Sequence, residues 1–150
     1  MIVVDVNVLV YAHRQDSESH DPARAWLEDK LGTPGEDIVI PDLVWVGFAR
    51  VSTNARVFRE PSTINDVSAF VREIVSQPTY RAIPGLSTGI EPLLTEIDQG
   101  QARGNLVVDA YIASVARHIG ASVATFDRDF RRFDGLRLIT PGQTESHFGT

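Results

Sequence analysis

Short β-branched runs recur along this chain, each followed by a stretch with helical spacing, and that alternation is the strongest constraint on its fold. Residues 1–4 read as a strand that ends at Asp5, and residues 7–13 read as a helix with Val8, Leu9, Tyr11 and Ala12 on its apolar face. Asp21-Pro22 offers an N-cap followed by a proline at the first helical position, with Trp26, Leu27 and Leu31 at helical spacing before Gly32. Residues 38–40 form a second strand closed by Pro41, and a helix from Asp42 to about Ser52 follows, with Asp42 as its natural cap. Thr63 caps an amphipathic helix that runs to Val75, Tyr80 to Ile83 is a third strand, and residues 91–97 are a short helix ending near Gly100. Leu106 to Ile119 is the longest helix, stopped at Gly120; residues 123–125 and 136–139 are the last strands. The expectation is an α/β fold: a parallel sheet covered by helices on both faces, in one domain spanning 1–150.

Composition narrows the chemistry. A chain of 150 residues with 43% hydrophobic side chains has enough material for a core without staples. There is no cysteine, so disulfides and thiolate metal sites are both excluded, and a metal must be held by oxygen or imidazole. The N-terminal run carries an acid at position 5 and no basic flank, and no stretch has the length and apolarity of a membrane span, which implies a cytoplasmic, non-membrane protein. A formal charge of -6 argues against a surface that grips polyanions by charge alone. Bound divalent cations would reverse that local sign. Of the 14 basic residues all but Lys30 are arginine, the side chain suited to forked phosphate contacts.

In an open parallel sheet, functional groups gather beyond the carboxyl ends of the strands. Asp5 ends the first strand, Asp127 lies just past the fourth, and Asp109 sits in the first turn of the long helix, so three acids remote in sequence aim at one place. Each alone has a structural use, as a turn residue or in compensating a helix dipole. Together they are harder to explain so, because Asp109 is surrounded by Val107, Val108, Ile112, Val115 and Ala116, where an unpaired carboxylate is costly. A divalent cation or a cationic partner removes that cost.

These residues belong to four motifs: DVNVLVYA from Asp5, GFARVSTNARVF from Gly47, GNLVVDAYIASVA from Gly104 and ATFDRDF from Ala124. In this order they resemble the PIN-domain ribonucleases, and among them the VapC-type toxins of toxin–antitoxin pairs, over nearly the whole chain. The resemblance implies a three-layer PIN-like fold and Mg2+ or Mn2+ held at the sheet's carboxyl edge by Asp5, Asp109 and Asp127. It implies hydrolysis of RNA phosphodiesters by a metal-activated water. Asn7 matches a polar position of the first motif, and Thr125 the hydroxyl position before the last acid. The implied partners are an RNA substrate such as transfer or ribosomal RNA, a second copy in a homodimer, and an antitoxin whose tail covers the acidic groove. The chain departs from the pattern at Trp45, taken as the place of a glutamate two residues before Gly47. Asp42 and Asp129 are the candidate substitutes, and one firmly held metal is expected rather than two.

Among the remaining residues, Asn7 orients Asp5 or caps the first helix, and Thr125 either positions the attacking water or is only a β-favouring residue. Arg50, Arg128 and Arg131, with Arg56 and Arg132, are the candidate RNA-contacting cations. The four histidines, His13, His20, His118 and His147, have no metal-ligand spacing, and Trp26, Trp45, Phe48 and Phe58 read as core or interface. An aspartate-nucleophile phosphatase would want a second acid where Asn7 stands. The competing reading is a PIN-like module, short of one acid, that binds RNA or a protein without cutting.

Overall fold

The computed structural model describes residues 1–143; His147 lies outside the described residues. The elements are β1 (Ile2–Val4), α1 (Val6–His13), α2 (His20–Gly32), β2 (Ile38–Pro41), α3 (Asp42–Ser52), α4 (Ile64–Val75), β3 (Tyr80–Ile83), α5 (Ile90–Gln99), α6 (Leu106–Ile119), β4 (Ser122–Ala124), a short 3-10 helix (Arg128–Arg132) and β5 (Leu138–Ile139). All strand pairs are parallel, in the order β3-β2-β1-β4-β5. The two central strands are buried at every position, which is why their sequences, IVV and IVIP, are unbroken apolar runs rather than alternations.

From β1 the chain winds outward through β2 to β3, then returns to lay β4 on the other side of β1. The direction of winding therefore reverses between β1 and β4, and a crevice opens there at the carboxyl edge. On one face α1 packs on α2 and α3, and α3 on α4; on the other α5 packs on α6, which lies against β1 and β4. The core between these layers is filled by Val3, Val4, Leu9, Ile40, Phe48, Ile112 and Phe130, among others, all fully buried. Among the described residues no helix is long and apolar enough to cross a membrane.

Several boundaries differ from the expectation. The second helix begins at His20, with Ser19 before it, so Asp21 is not its cap and Pro22 is its third residue. A proline is tolerated there because the first-turn N–H groups have no partner within the helix. Pro41, not Asp42, precedes α3; Asp42 is its first residue, and no side chain caps this helix. The strand β4 stops at Ala124, leaving Thr125 free to turn its hydroxyl into the crevice. Thr63 does cap α4, in a reciprocal capping box with Asp66.

Candidate active site

Asp5 closes β1 and caps α1, its Oδ1 accepting from Val6 N–H at 2.7 Å. Its other oxygen, Oδ2, accepts from the Thr125 hydroxyl at 2.7 Å. That hydroxyl in turn accepts from Asp127 N–H at 2.9 Å and from Asn7 Nδ2 at 3.3 Å. Its single proton is thus committed to Asp5, and Thr125 has none left to position a water. Asn7 lies within α1 rather than capping it, and its Oδ1 accepts from Phe126 N–H at 3.2 Å. Asn7 and Thr125 therefore tie the segment after β4 to the start of α1 across the switch point.

Asp5 and Asp109 line one cleft, between the start of α6 and the α3 side of the fold. Burial is the main reason that the Asp5 carboxyl is pushed from the ordinary 3.8 to about 6, with Asp127 adding repulsion and Thr125 opposing. Burial again, then the charges of Asp5, Asp127 and Asp129, push Asp109 to about 7. The Asp109 carboxylate accepts no hydrogen bond and forms no ion pair among the described residues. Both acids therefore sit where a negative charge is disfavoured and where no side-chain cation answers it directly. Arg132 only moderates Asp109 through space.

Asp127 caps the 3-10 helix, its Oδ1 accepting from Asp129 N–H at 2.8 Å. Its charge bears on both other acids, although it is not in the cleft lining. Asp129 is exposed and pairs loosely with Arg132 at 4.0 Å. Asp42 is exposed, outside the cleft lining, and its charge is felt at Tyr111. Among the described residues no three His, Asp or Glu groups stand gathered as a finished ligand set. The donors nonetheless fit a hard cation: carboxylate oxygens, partly desolvated and mutually repelling, with open cleft beside them for water ligands.

Trp45 faces elsewhere. Its indole N–H donates to the Tyr80 hydroxyl at 3.2 Å, and its ring packs on Phe48. The α3 residues that line the cleft are Leu43, Val46, Gly47, Arg50 and Val51. Among these, Gly47 lies so close to Val6 that a Cβ would come within 2.9 Å of a Val6 methyl. Sequence reading also missed Tyr111, a cleft residue whose hydroxyl donates to the Gly85 carbonyl at 2.7 Å, and the cleft residues Asn54 and Asn105. Of the candidate cations, Arg50 lines the cleft; Arg128 and Arg131 are exposed and follow Asp127, without a side-chain partner among the described residues, whereas Arg132 donates to the Asp129 and Gly100 carbonyls. Phe48 is core, Trp26 packs against the core, and Phe58 lies under the Arg14 guanidinium. His13 and His20 are spent on Ser62 and the Tyr11 carbonyl, and His118 is exposed.

The PIN domain family model matches residues 2–136. Ribonuclease VapC25 of Mycobacterium tuberculosis is 36% identical over 141 residues, covering 94% of this chain and 99% of the relative. This chain belongs to the PIN-domain VapC ribonucleases. Its fold is shared by M. tuberculosis VapC20, whose structure is described as that of a sarcin–ricin-loop-cleaving toxin, at a TM-score of 0.67, 18% identity, and coverage of 87% of this chain and 93% of that one. It is shared too by VapBC2 of Rickettsia felis, solved on a DNA fragment from its promoter, at a TM-score of 0.63, 22% identity, and coverage of 93% and 98%. Within this VapC chain the matched region contains every acid described above.

Proposed function

We propose that this VapC-family chain is an endoribonuclease that depends on Mg2+, with Mn2+ able to substitute, and the toxin half of a toxin–antitoxin pair. The carrying observation is that Asp5 and Asp109, remote in sequence, share one cleft at the sheet's switch point with raised pKa values and no cationic partner. Asp5, Asp109 and Asp127 would hold the metal, with Asp129 as a further ligand through water; Asp42 stands outside the cleft lining. A bound divalent ion supplies a Lewis acid that makes water a nucleophile near neutral pH and offsets charge on the phosphate.

The protein's own part is placement. Thr125 and Asn7 fix the orientation of Asp5 and the start of the segment bearing Asp127. Arg50 in the cleft and Arg128 and Arg131 beside Asp127 are free to meet phosphate oxygens on either side of the scissile bond. The apolar cleft wall, with exposed Leu43, Val46, Leu86 and Val108, suits an antitoxin segment that brings a basic side chain to the acids, and the chain acts as a homodimer. VapBC2, a toxin–antitoxin complex of the same fold, supports the antitoxin reading. Transfer and ribosomal RNAs are the substrates to try first, as VapC20 is described as cleaving the sarcin–ricin loop.

Purified protein should cleave members of a panel of structured RNAs with Mg2+ or Mn2+, stop on chelation, and lose cleavage in Asp5→Asn and Asp109→Asn while remaining folded. The second reading, a module that binds without cutting, is favoured by the lack of a finished ligand set among the described residues. RNA binding with no metal-stimulated cleavage anywhere in the panel would establish it instead.

A further inference from the structure

The segment joining α3 to α4 is held in a way that its length alone does not require. Arg14, at the end of α1, has a side chain only 10% exposed, and all three of its guanidinium nitrogens donate nearby. Its Nε and Nη2 donate to the Asp16 carboxylate at 2.9 and 2.7 Å, and its Nη1 donates to the Glu60 carbonyl at 2.8 Å and the Ser62 hydroxyl at 3.2 Å. The guanidinium also covers the Phe58 ring at 4.0 Å. His13 Nε2 meets the same Ser62 hydroxyl at 2.9 Å, and Ser62 N–H donates to the Ser52 carbonyl at 2.8 Å, closing the neck of the loop.

Inside that neck the chain makes its own turn. Val57 and Phe58 N–H both donate to the Asn54 carbonyl, and Arg56 N–H donates to the Asn54 side chain. Asn54 and Val57 line the cleft that contains Asp5 and Asp109, while Phe58 is turned inward against Arg14. What remains on the outside is the side chains of Arg56 and Arg59, both residues exposed and both guanidinium groups without a hydrogen-bonding or ionic partner among the described residues. In a chain of net charge -6, two unanswered arginines on a preset loop at the rim of an acidic cleft form a local reversal of sign. Arg128 and Arg131, also exposed and without a side-chain partner among the described residues, follow Asp127 in the 3-10 helix.

Resting on the ribonuclease reading, we propose that the loop over residues 54–59 is a second RNA-contacting arm. Arg56 and Arg59 grip backbone phosphates beyond the cleavage site, and Arg14 is the positioning residue that presets them. The substrate is then a strand that runs from the scissile step at the acids along the cleft wall to this loop. Presetting matters because an arginine on a loose loop loses its contact energy to ordering.

The test measures binding of a labelled single-stranded RNA about 20 nucleotides long, in chelator, across a salt series, so that no cleavage is needed. The Arg56→Ala/Arg59→Ala double variant should bind at least about tenfold more weakly, with its log–log salt slope lowered by about 1.4, since each phosphate contact on a single strand contributes about 0.7. Arg14→Lys should also weaken binding, and should add nothing further in the double-variant background, whereas a merely structural role would persist there. Thermal unfolding of each variant separates loss of the arm from loss of fold. Equal affinity and slope in the double variant overturn the proposal, and so does loss of antitoxin binding with RNA binding intact, which would make the arm a protein contact. A parent that cuts RNA while the variants behave like it sinks the arm alone. A parent that neither cuts nor binds sinks the ribonuclease reading with it.

Discussion

At the scale of single residues, the Thr125 hydroxyl works against the burial that raises the Asp5 carboxyl. It is buried, gives its proton to Asp5, and accepts from Asp127 N–H and Asn7, so one oxygen links Asp5 to the backbone of Asp127. A hydrogen bond to a carboxylate favours the ionised form, and here it opposes the burial that drives Asp5 up to about 6. Replacing Thr125 with valine keeps the shape and removes the donor. A hydrogen bond to a charged group is worth about 1.5–3 kcal/mol, so the acid limb of the pH–cleavage profile should move up by about 1 to 2 in Thr125→Val. Thr125→Ser should restore it. A pH profile in Thr125→Val that overlays the parent's would mean that the hydroxyl serves only the Asp127 backbone. The neutral variant Asp109→Asn tests the other half of this balance: cleavage is lost, yet the metal-free protein at about pH 8 should melt no lower than the parent, because a disfavoured charge has gone.

At the scale of elements, the 3-10 helix that follows Asp127 packs on α6 and is tied, at its far end, to the end of α5. Arg132 reaches the Gly100 carbonyl at 3.1 Å, and Phe133 lies against the bare Cα of Gly100, where a Cβ would stand 2.5 Å from the ring. Gly100 has an ordinary negative φ of -81, so what forbids a side chain there is the neighbour and not the backbone. Gly100→Ala should therefore cost about 1–3 kcal/mol by overpacking and displace the Asp127 turn relative to Asp109. Thermal unfolding reads the first effect, and Mn2+ titration reads the second as weaker binding. Gly32→Ala, at a site with open space and no positive φ, is the control and should be neutral or slightly stabilising.

The same scale shows what the sequence could convey. The buried strands IVV and IVIP and the long α6 were legible because each carries its own signal, a β-branched run or a sustained apolar face ending at a left-handed Gly120. The capping of α2 was misread because Asp21-Pro22 suits two adjacent registers, and tertiary packing chooses between them. That Trp45 turns away from the cleft was not legible either: neighbouring helix residues differ by about 100° in direction, so which α3 residues face the cleft depends on how the helix packs. Asp5, Asp109 and Asp127 stood out in the sequence because each follows a strand or opens a helix. The Arg14 staple and the Tyr111–Gly85 bond were not, because they join segments with no shared pattern.

At the scale of the whole molecule, the site follows from strand order, which no local signal encodes. Because β4 returns to the opposite side of β1 from β2, the ends of β1 and β4 become neighbours and their acids are forced together as the chain folds. Folding thus brings mutually repelling carboxylates into partial burial, and both Asp5, at about 6, and Asp109, at about 7, hold a proton more tightly when folded than at the ordinary 3.8. A raised folded-state value stabilises below the unfolded value and loses that contribution as pH rises through the folded one. In chelator the melting temperature should therefore fall between about pH 5 and about pH 8, and Asp5→Asn/Asp109→Asn should flatten the decline. A divalent ion binds the ionised acids in competition with protons, so saturating Mn2+ should raise the melting temperature more at the upper pH than at the lower. If melting were insensitive to pH in chelator, or if Mn2+ stabilised equally at both ends, the shared burden of charge at the switch point would not be what the metal relieves.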